Sequence, residues 1–136
     1  MPNRRDLIKL PIGALPFLAA AAPKLPNATF DESKAKLTRE PFGDLRIYFD
    51  GPTDQLRAMT AGSLRLKPGA SPHPPHEHPE EEFMVVTEGS GEIEIDGKKM
   101  KAGPGAIMYC AAGKPHGIVN TGKTPLLFYF FKWKAL

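Results

Sequence analysis

Histidines are the residues of this chain whose type and spacing best suit chemistry, and all four lie between His73 and His116. His76 and His78 are two residues apart. In an extended strand such residues project from the same face, so the two imidazoles would lie side by side. Glu82, four residues on, has the same parity and would face the same way if the segment is broadly extended. Two imidazoles and one carboxylate on one face suit a divalent metal ion with open coordination positions.

The same segment has a second interpretation. The stretch 73–82 is rich in proline and in charge, and by itself it is equally compatible with a solvated loop. Glu80 and Glu81 are alternative carboxylate ligands if the strand register differs by one residue. However, Glu82 directly precedes the apolar run 83–86, and a carboxylate at the edge of a core is costly without a cationic partner. This position favours a metal ion or another cation beside Glu82.

The composition excludes several other classes of site. A single cysteine, Cys110, excludes an intramolecular disulfide framework and any multi-cysteine zinc or iron–sulfur site. Cys110 lies in an apolar segment and is expected to be buried. The net charge of +3, with no long basic block, does not favour nucleic acid as a partner. The 136 residues are enough for one domain.

Residues 1–28 are interpreted as a targeting segment that precedes the folded domain. The spacing Asn3-Arg4-Arg5-Asp6-Leu7-Ile8-Lys9 resembles a bacterial twin-arginine export signal. The uncharged run 10–22 is shorter than the ~20 apolar residues that a membrane-spanning helix needs. We therefore expect a cleaved signal, with the cut within 20–28, no permanent membrane anchor, and a periplasmic or secreted mature protein.

The remaining chain is predicted to be an all-β domain. Residues 29–43 are polar, have no sustained apolar period and are expected to form an arm, followed by a domain at 44–136. About seven short apolar or alternating runs are separated by glycine and proline, which is typical of a β-sandwich or barrel. Asp96-Gly97 follows the alternating run 92–96 and predicts a tight hairpin turn. The predicted strands are 45–49, 57–66, 82–87, 92–96, 106–110, 117–119 and 126–131.

Two motifs in this domain resemble those of the cupin superfamily, and in particular its small single-domain, type-2-like members. The first is glycine, about five residues, His-x-His, three or four residues, glutamate, six residues and glycine. Here it corresponds to Gly69, His76, His78, Glu82 and Gly89, with only the first gap one residue longer.

The second motif is glycine, five residues, Pro-x-Gly and then His-x3-Asn. In this chain Gly97 is followed after five residues by Gly103-Pro104-Gly105, and ten residues later by His116 and Asn120. The proline is displaced by one position, whereas His116-x3-Asn120 matches in full. The resemblance covers about 57–131.

The resemblance implies a double-stranded β-helix, also called a jelly-roll or cupin barrel, with His76, His78, Glu82 and His116 as ligands of one metal ion. Three imidazoles and one carboxylate leave two octahedral positions for water, oxygen or substrate. This ligand set favours iron or manganese, with nickel, copper or zinc as alternatives.

Several further residues are candidates for the surroundings of that metal ion or for the substrate pocket. They are His73, Met84, Tyr109, Asn120 and Phe128. His73 and Asn120 are interpreted as loop, turn or neighbouring groups rather than as ligands, and core packing is the simpler role for the others. The run 126–131 is apolar on both faces, which suggests burial on both sides or a subunit interface. Dimers are common among cupins, so a homodimer is expected.

We interpret the protein as an exported metal-binding cupin. The favoured function is that of a metal-dependent enzyme, of the dioxygenase, decarboxylase or isomerase type, acting on a small polar organic substrate. The alternative is a non-catalytic protein that binds a small molecule or the metal in the same barrel. Spacing marks no acid–base or nucleophile–base pair, so neither the catalytic residues nor the substrate follow from the sequence.

Overall fold

The computed structural model describes residues 21–136, which form two antiparallel β-sheets with a shared core. The larger sheet has the strand order β1-β2-β3-β9-β4-β7, and the smaller one β6-β5-β8. The strands are β1 (Lys36–Glu40), β2 (Gly43–Gly51), β3 (Leu56–Leu66), β4 (Glu81–Glu88), β5 (Gly91–Ile95), β6 (Lys98–Ala102), β7 (Ile107–Cys110), β8 (His116–Val119) and β9 (Leu126–Ala135). The predicted all-β jelly-roll barrel is confirmed.

The described residues begin at position 21, after most of the segment predicted to be a targeting signal. The twin-arginine motif lies outside the described residues. Residues 21–27 have no regular structure, and the amide of Leu25 donates a hydrogen bond of 2.9 Å to the carbonyl of Pro52 in the β2–β3 turn. Within residues 21–136, no helix has the length and apolar character needed to cross a membrane.

The segment predicted as an arm, 29–43, contains an ordered edge strand that sequence periodicity did not indicate. It includes a short 3-10 turn at Glu32–Lys34 and then β1, which pairs with β2. Four of the five β1 residues are exposed. An edge strand with both faces in water needs no apolar alternation, and this is why its polar sequence gave no strand signal.

The Asp96-Gly97 turn joins β5 to β6, as predicted. Asp96 has φ 50° and Gly97 has φ 80°, the positive values that a type I′ turn requires. Strand β6 was not among the predicted runs because four of its five residues, including three lysines, are exposed. The hairpin forms one edge of the smaller sheet.

The inner face of the larger sheet changes from apolar to polar along its strands. Leu66, Val86 and Leu126, at one end of the barrel, are completely buried. At the other end, Glu82 of β4 pairs with Lys132 of β9. The inner face therefore has a charged row, formed by Glu82 and Lys132, near one opening and an apolar wall behind it.

Glycine at position 62 shapes that wall. A Cβ atom there would lie 2.5 Å from Cζ of Phe130 and 2.6 Å from the carbonyl oxygen of Arg46. The absence of a side chain on β3 lets the Phe130 ring lie against the strand backbone. A larger residue at position 62 would therefore have to displace the Phe130 ring or the neighbouring backbone.

Candidate metal centre

His76 and His116 are held together by their backbones. The amide of His76 donates to the carbonyl of His116 at 3.0 Å, and the amide of His116 donates back to the carbonyl of His76 at 2.9 Å. His116 is the first residue of β8, whereas His76 forms only this isolated bridge. The paired hydrogen bonds fix the two side chains in neighbouring positions although 40 residues separate them in the chain.

The segment from His76 to Glu82 is not broadly extended, which was the condition for a shared strand face. His78 lies in a loop, and β4 begins only at Glu81. The loop is pinned by the carbonyl of His78, which accepts a hydrogen bond of 2.8 Å from the amide of Gly113. Backbone contacts, of His76 with His116 and of His78 with Gly113, therefore position these two histidines in place of strand parity.

The three imidazoles converge on one point. One ring nitrogen each from His76, His78 and His116 lies within 4.8 Å of the other two. The ring centroids of His78 and His116 are 4.8 Å apart, and both are 5.3 Å from that of His76. All three ring pairs are close to perpendicular, so the nitrogens meet without the rings stacking.

The carboxylate of Glu82 completes this cluster. Glu82 is 5% exposed, and its Oε2 lies 2.9 Å from Nε2 of His78 and 2.7 Å from Nε2 of His116. Two ligand atoms at right angles, each ~2.1 Å from a metal ion, are about 3 Å apart. The spacing of the carboxylate and imidazole atoms therefore fits neighbouring positions around one divalent cation.

The outer nitrogens of two histidines are already engaged. Nδ1 of His78 lies 3.1 Å from the carbonyl oxygen of Glu80, and Nδ1 of His116 lies 3.0 Å from that of Lys114. A carbonyl accepts only, so each Nδ1 carries the proton. In the neutral imidazole this leaves the lone pair on Nε2, which points at the cluster centre, as is usual for metal-ligating histidines.

Hydrogen bonds from the imidazoles shift the pKa of Glu82. Burial alone would raise the pKa of Glu82, but hydrogen bonds from His116 and His78 outweigh burial and lower it. The hydrogen bond to Glu82 raises the pKa of His116, although burial opposes this. The Glu82 carboxylate thus favours a protonated His116, and a divalent cation at the same point would replace that proton.

His76 is different, because it has no carboxylate contact. Loss of hydration, reinforced by the neighbouring imidazoles, lowers the pKa of His76 to about 4. Its ring also stacks on that of His73, with centroids 3.6 Å apart and an interplanar angle of 20°. His76 is therefore neutral near physiological pH and has a free lone pair.

A cavity of about 270 Å³ adjoins His76, His78 and Glu82. Apart from these three and the neighbouring His73 and Lys132, its lining is almost wholly apolar. Those residues are Phe42, Leu45, Leu64, Pro72, Met84, Ile118, Phe128 and Phe130.

Lys132 was not among the predicted site residues. Its sequence position did carry a signal, because Phe128, Phe130 and Lys132 share one parity and would face the same side of a strand. The predicted strand ended at 131, however, whereas β9 extends to Ala135.

Of the further residues predicted near the metal ion or substrate, three line this cavity and two do not. His73, Met84 and Phe128 contribute to its wall. Tyr109 lies on the outer face of β7, where it is 49% exposed and donates a hydrogen bond to Glu81. Its placement in the substrate pocket is wrong, because odd-numbered positions of β7 point away from the barrel interior.

Asn120 also lies outside the cavity, as a turn-forming residue. It is completely buried, and its Nδ2 donates to the carbonyls of Leu66 and Thr124 at 3.1 and 2.9 Å. Its Oδ1 accepts from the amide of Gly122 at 3.0 Å. The turn role considered for Asn120 is therefore the correct one, and a contact with the metal or substrate is not.

The alternative carboxylates point elsewhere. Glu80 Oε2 lies 3.2 Å from Nδ1 of His78, on the far side of that ring from the cluster. Glu81 Oε1 accepts the hydrogen bond of Tyr109 at 3.2 Å on the outer face. Only Glu82 of the three directs its carboxylate at the imidazole Nε2 atoms.

A family model described as a cupin domain matches residues 62–132. The matched region includes His76, His78, Glu82 and His116. No protein with a curated description matches the chain.

Solved structures share the fold. An RmlC-like cupin from Shewanella frigidimarina is 17% identical, with a TM-score of 0.67 and a match covering 82% of this chain and 94% of that one. KdgF from a Halomonas species is 22% identical, with a TM-score of 0.65 and coverage of 79% and 94%. A predicted oxalate decarboxylase from Thermotoga maritima is 22% identical, with a TM-score of 0.65 and coverage of 80% and 100%. At these identities the likeness establishes the fold.

We expect the stability of the metal-free protein to depend on pH through Glu82 and His116. The pKa of Glu82 is lowered by folding. Glu82 therefore contributes to the free energy of unfolding above its ordinary pKa of 4.5, and this contribution is lost as pH falls through the lowered pKa. The pKa of His116 is raised by folding. His116 therefore contributes to the free energy of unfolding below its ordinary pKa of 6.5, and this contribution is lost as pH rises through the raised pKa. Chelator-treated wild type should therefore exceed Glu82→Gln in unfolding free energy most strongly between about pH 4.5 and 6.5.

Urea unfolding of both proteins across pH measures this difference. Because the pKa of His76 is lowered to about 4, both proteins lose unfolding free energy as pH falls below 6.5. This loss is similar in the two proteins and largely cancels in the difference between them. A difference between wild type and variant that stays constant from pH 4 to 9 would contradict the proton-linked pair.

Proposed function

Because the chain belongs to the cupin family, with its cupin domain at residues 62–132, we propose that it is a metal-dependent enzyme that acts on a small organic substrate. The observation that carries this proposal is the convergence of three imidazole nitrogens and one buried carboxylate at the wall of a cavity. Four protein ligands would leave an octahedral ion two open positions. Substrate is expected to occupy one or both of them.

We propose iron(II) or manganese(II) as the metal ion, held by His76, His78, Glu82 and His116. Nitrogen and oxygen ligands in an octahedral arrangement with open positions suit these ions, whereas soft metals prefer the thiolate ligands that the cluster lacks. Nickel, copper and zinc are the alternatives. When bound, the ion would supply a Lewis acid, or an oxygen-activating centre if it is iron.

The chain's own residues provide position and shielding. Carbonyl groups hold the outer nitrogens of His78 and His116, so the ligands need little reorganisation. Phe128, Phe130 and Met84 give the cavity side of the centre an apolar wall, which would strengthen polar contacts made there. Oxidation, decarboxylation and isomerisation remain the reaction types to test.

A non-catalytic binding protein is the second candidate, and one observation favours it. Among the described residues that line the cavity, the only titratable groups outside the ligand set are His73 and Lys132. His73 Nδ1 lies 2.8 Å from the carbonyl oxygen of Pro74, and its ring is stacked on His76. An enzyme that needs a separate general base has few groups to supply it.

We propose further that the protein reaches the periplasm or the exterior already folded, through the twin-arginine signal in residues 1–28. Copper and zinc outcompete manganese and iron for nitrogen and oxygen ligands on affinity alone. Loading the weaker metal in the cytoplasm before export would avoid that competition. The export route thus gives a physical reason for iron or manganese in the mature protein.

Metal content tests the site. Protein recovered from the exported fraction is expected to hold about one iron or manganese per chain by elemental analysis. His76→Ala and Glu82→Ala should each lower metal affinity by at least about 100-fold, since even residues behind the ligands are worth ~10–100-fold. His73→Ala is the matched control, because it removes the stacked neighbour of His76 but no ligand.

Unchanged metal content in both ligand variants would refute the ligand assignment. Stoichiometric copper or zinc in the exported protein would instead refute loading before export and leave the ligand assignment intact.

Turnover separates the enzyme from the binder. Protein loaded with iron(II) under anaerobic conditions and then exposed to oxygen is expected to consume oxygen with one of four substrate classes: enediols, phenols, short dicarboxylic acids or monocarboxylic acids with an apolar body. The manganese form should be tested for carbon dioxide release from the same acids. Retention of a ligand through gel filtration, with no product from any class, would favour the binding protein.

We also propose a homodimer formed through the outer face of the larger sheet. Phe83 is 40% exposed, and its ring centroid lies 5.3 Å from Tyr109 and 5.5 Å from Trp133. Together with Ile107, which is 67% exposed, these side chains form an aromatic patch across β7, β4 and β9. Contiguous apolar patches of this kind mark association surfaces.

Phe83→Glu is expected to convert a dimer to a monomer in sedimentation-velocity measurements, because a charge would be buried at the centre of the interface. Leu37→Glu is the matched control, since Leu37 is also 40% exposed but lies on β1, at the opposite edge of the larger sheet. A wild-type protein that sediments as a monomer at micromolar concentration, or a Phe83→Glu variant that remains dimeric, would refute this interface.

A further inference from the structure

Lys132 is the positively charged side chain of the cavity wall. It lies on β9 directly opposite Glu82 of β4, on the same inner face as Phe128 and Phe130. The residue is half-buried. A lysine on the inward-facing side of a central strand is uncommon, because burying an ammonium group without a partner is unfavourable.

Within residues 21–136, no ion pair joins Lys132 to a carboxylate. Glu82 is its cross-strand neighbour, but the Oε2 atom of Glu82 is directed at Nε2 of His78 and His116. The ammonium charge is therefore available to a ligand in the cavity.

The charges of the proposed centre are unbalanced. One carboxylate and three neutral imidazoles leave a divalent ion with one positive charge in excess, and Lys132 adds a second beside it. Unlike charges attract more strongly in an apolar, water-poor cavity than in bulk water. An anionic group that reaches both the metal ion and Lys132 is the natural counter-charge.

The rest of the cavity selects against a ligand that is polar throughout. Its wall away from the charged row is formed by side chains such as Leu45, Leu64 and Phe130. Its volume is about 270 Å³. An apolar protein cavity of roughly 150 Å³ accommodates benzene, so this one has room for a single ring and one small polar group.

We propose that Lys132 is a substrate-positioning residue, and that the site takes a small monocarboxylate with an apolar or aromatic body. This inference rests on the proposed metal centre. The carboxylate lies between the metal ion and Nζ of Lys132, and the body of the ligand fills the cavity lined by Phe128, Phe130 and Met84. Charge pairing then acts at one end of the ligand and apolar burial at the other, and together they fix the orientation of the ligand in the cavity.

Titration calorimetry with manganese-loaded protein tests this with three probes: benzoate, benzamide and acetate. Benzoate should bind most tightly, because benzamide lacks the charge and acetate lacks the apolar body. Lys132→Met should weaken benzoate binding about tenfold or more, as expected for loss of a charged hydrogen bond, and leave benzamide binding unchanged. Lys132→Arg should retain most of the affinity. Lys134→Met, on the same strand but outside the cavity lining, should behave as wild type.

Metal content is measured on every variant and separates two kinds of failure. Lys132→Met should keep its manganese, since removing a positive charge near a cation does not weaken cation binding. Wild type that holds no metal would refute the proposed function. Wild type that holds metal but binds benzamide or acetate as tightly as benzoate would refute this inference alone. Loss of manganese in Lys132→Met, or unchanged benzoate affinity in that variant, would likewise refute the role of Lys132.

Discussion

The buried carboxylate of Glu82 is the constraint on which the site depends. It lies in β4 of the larger sheet with 5% of its surface exposed, and a charge in that position needs a partner. His116 supplies one at 2.7 Å from β8 of the smaller sheet, and His78 supplies another at 2.9 Å from a loop. The charge therefore links the larger sheet to the smaller sheet and to the loop that carries His78.

The barrel gives this charge its surroundings. Antiparallel pairing sets Glu82 beside Lys132, while the positions behind them along the inner face are aromatic and aliphatic. Alternation of side chains across each strand separates this inner set from the aromatic patch of Phe83 and Trp133 on the outer face. One sheet can thus carry the proposed substrate cavity on one side and the proposed subunit interface on the other.

Much of the candidate site was predictable because ligand chemistry depends on residue type. The His76-x-His78 pair, Glu82 and His116 followed from motif order, and the Asp96-Gly97 turn followed from its local conformational preference. The broadly extended segment considered for the first three residues is not formed, since His78 lies in a loop held by Gly113. Tyr109 was misplaced because an apolar run gives no sign of which parity faces inward. The exposed strands β1 and β6 gave no apolar signal.

The sequence by itself determined the all-β class and the set of nitrogen and oxygen donors, because alternation, turn residues and donor types are local properties. Only the tertiary structure decided that His116 meets Glu82 across 34 residues, and that Lys132 lies beside that same carboxylate. These contacts depend on which strands pair and in which register. Register is fixed by packing of the whole barrel and not by any single segment, and for that reason the charge and shape of the cavity emerged only from the folded chain.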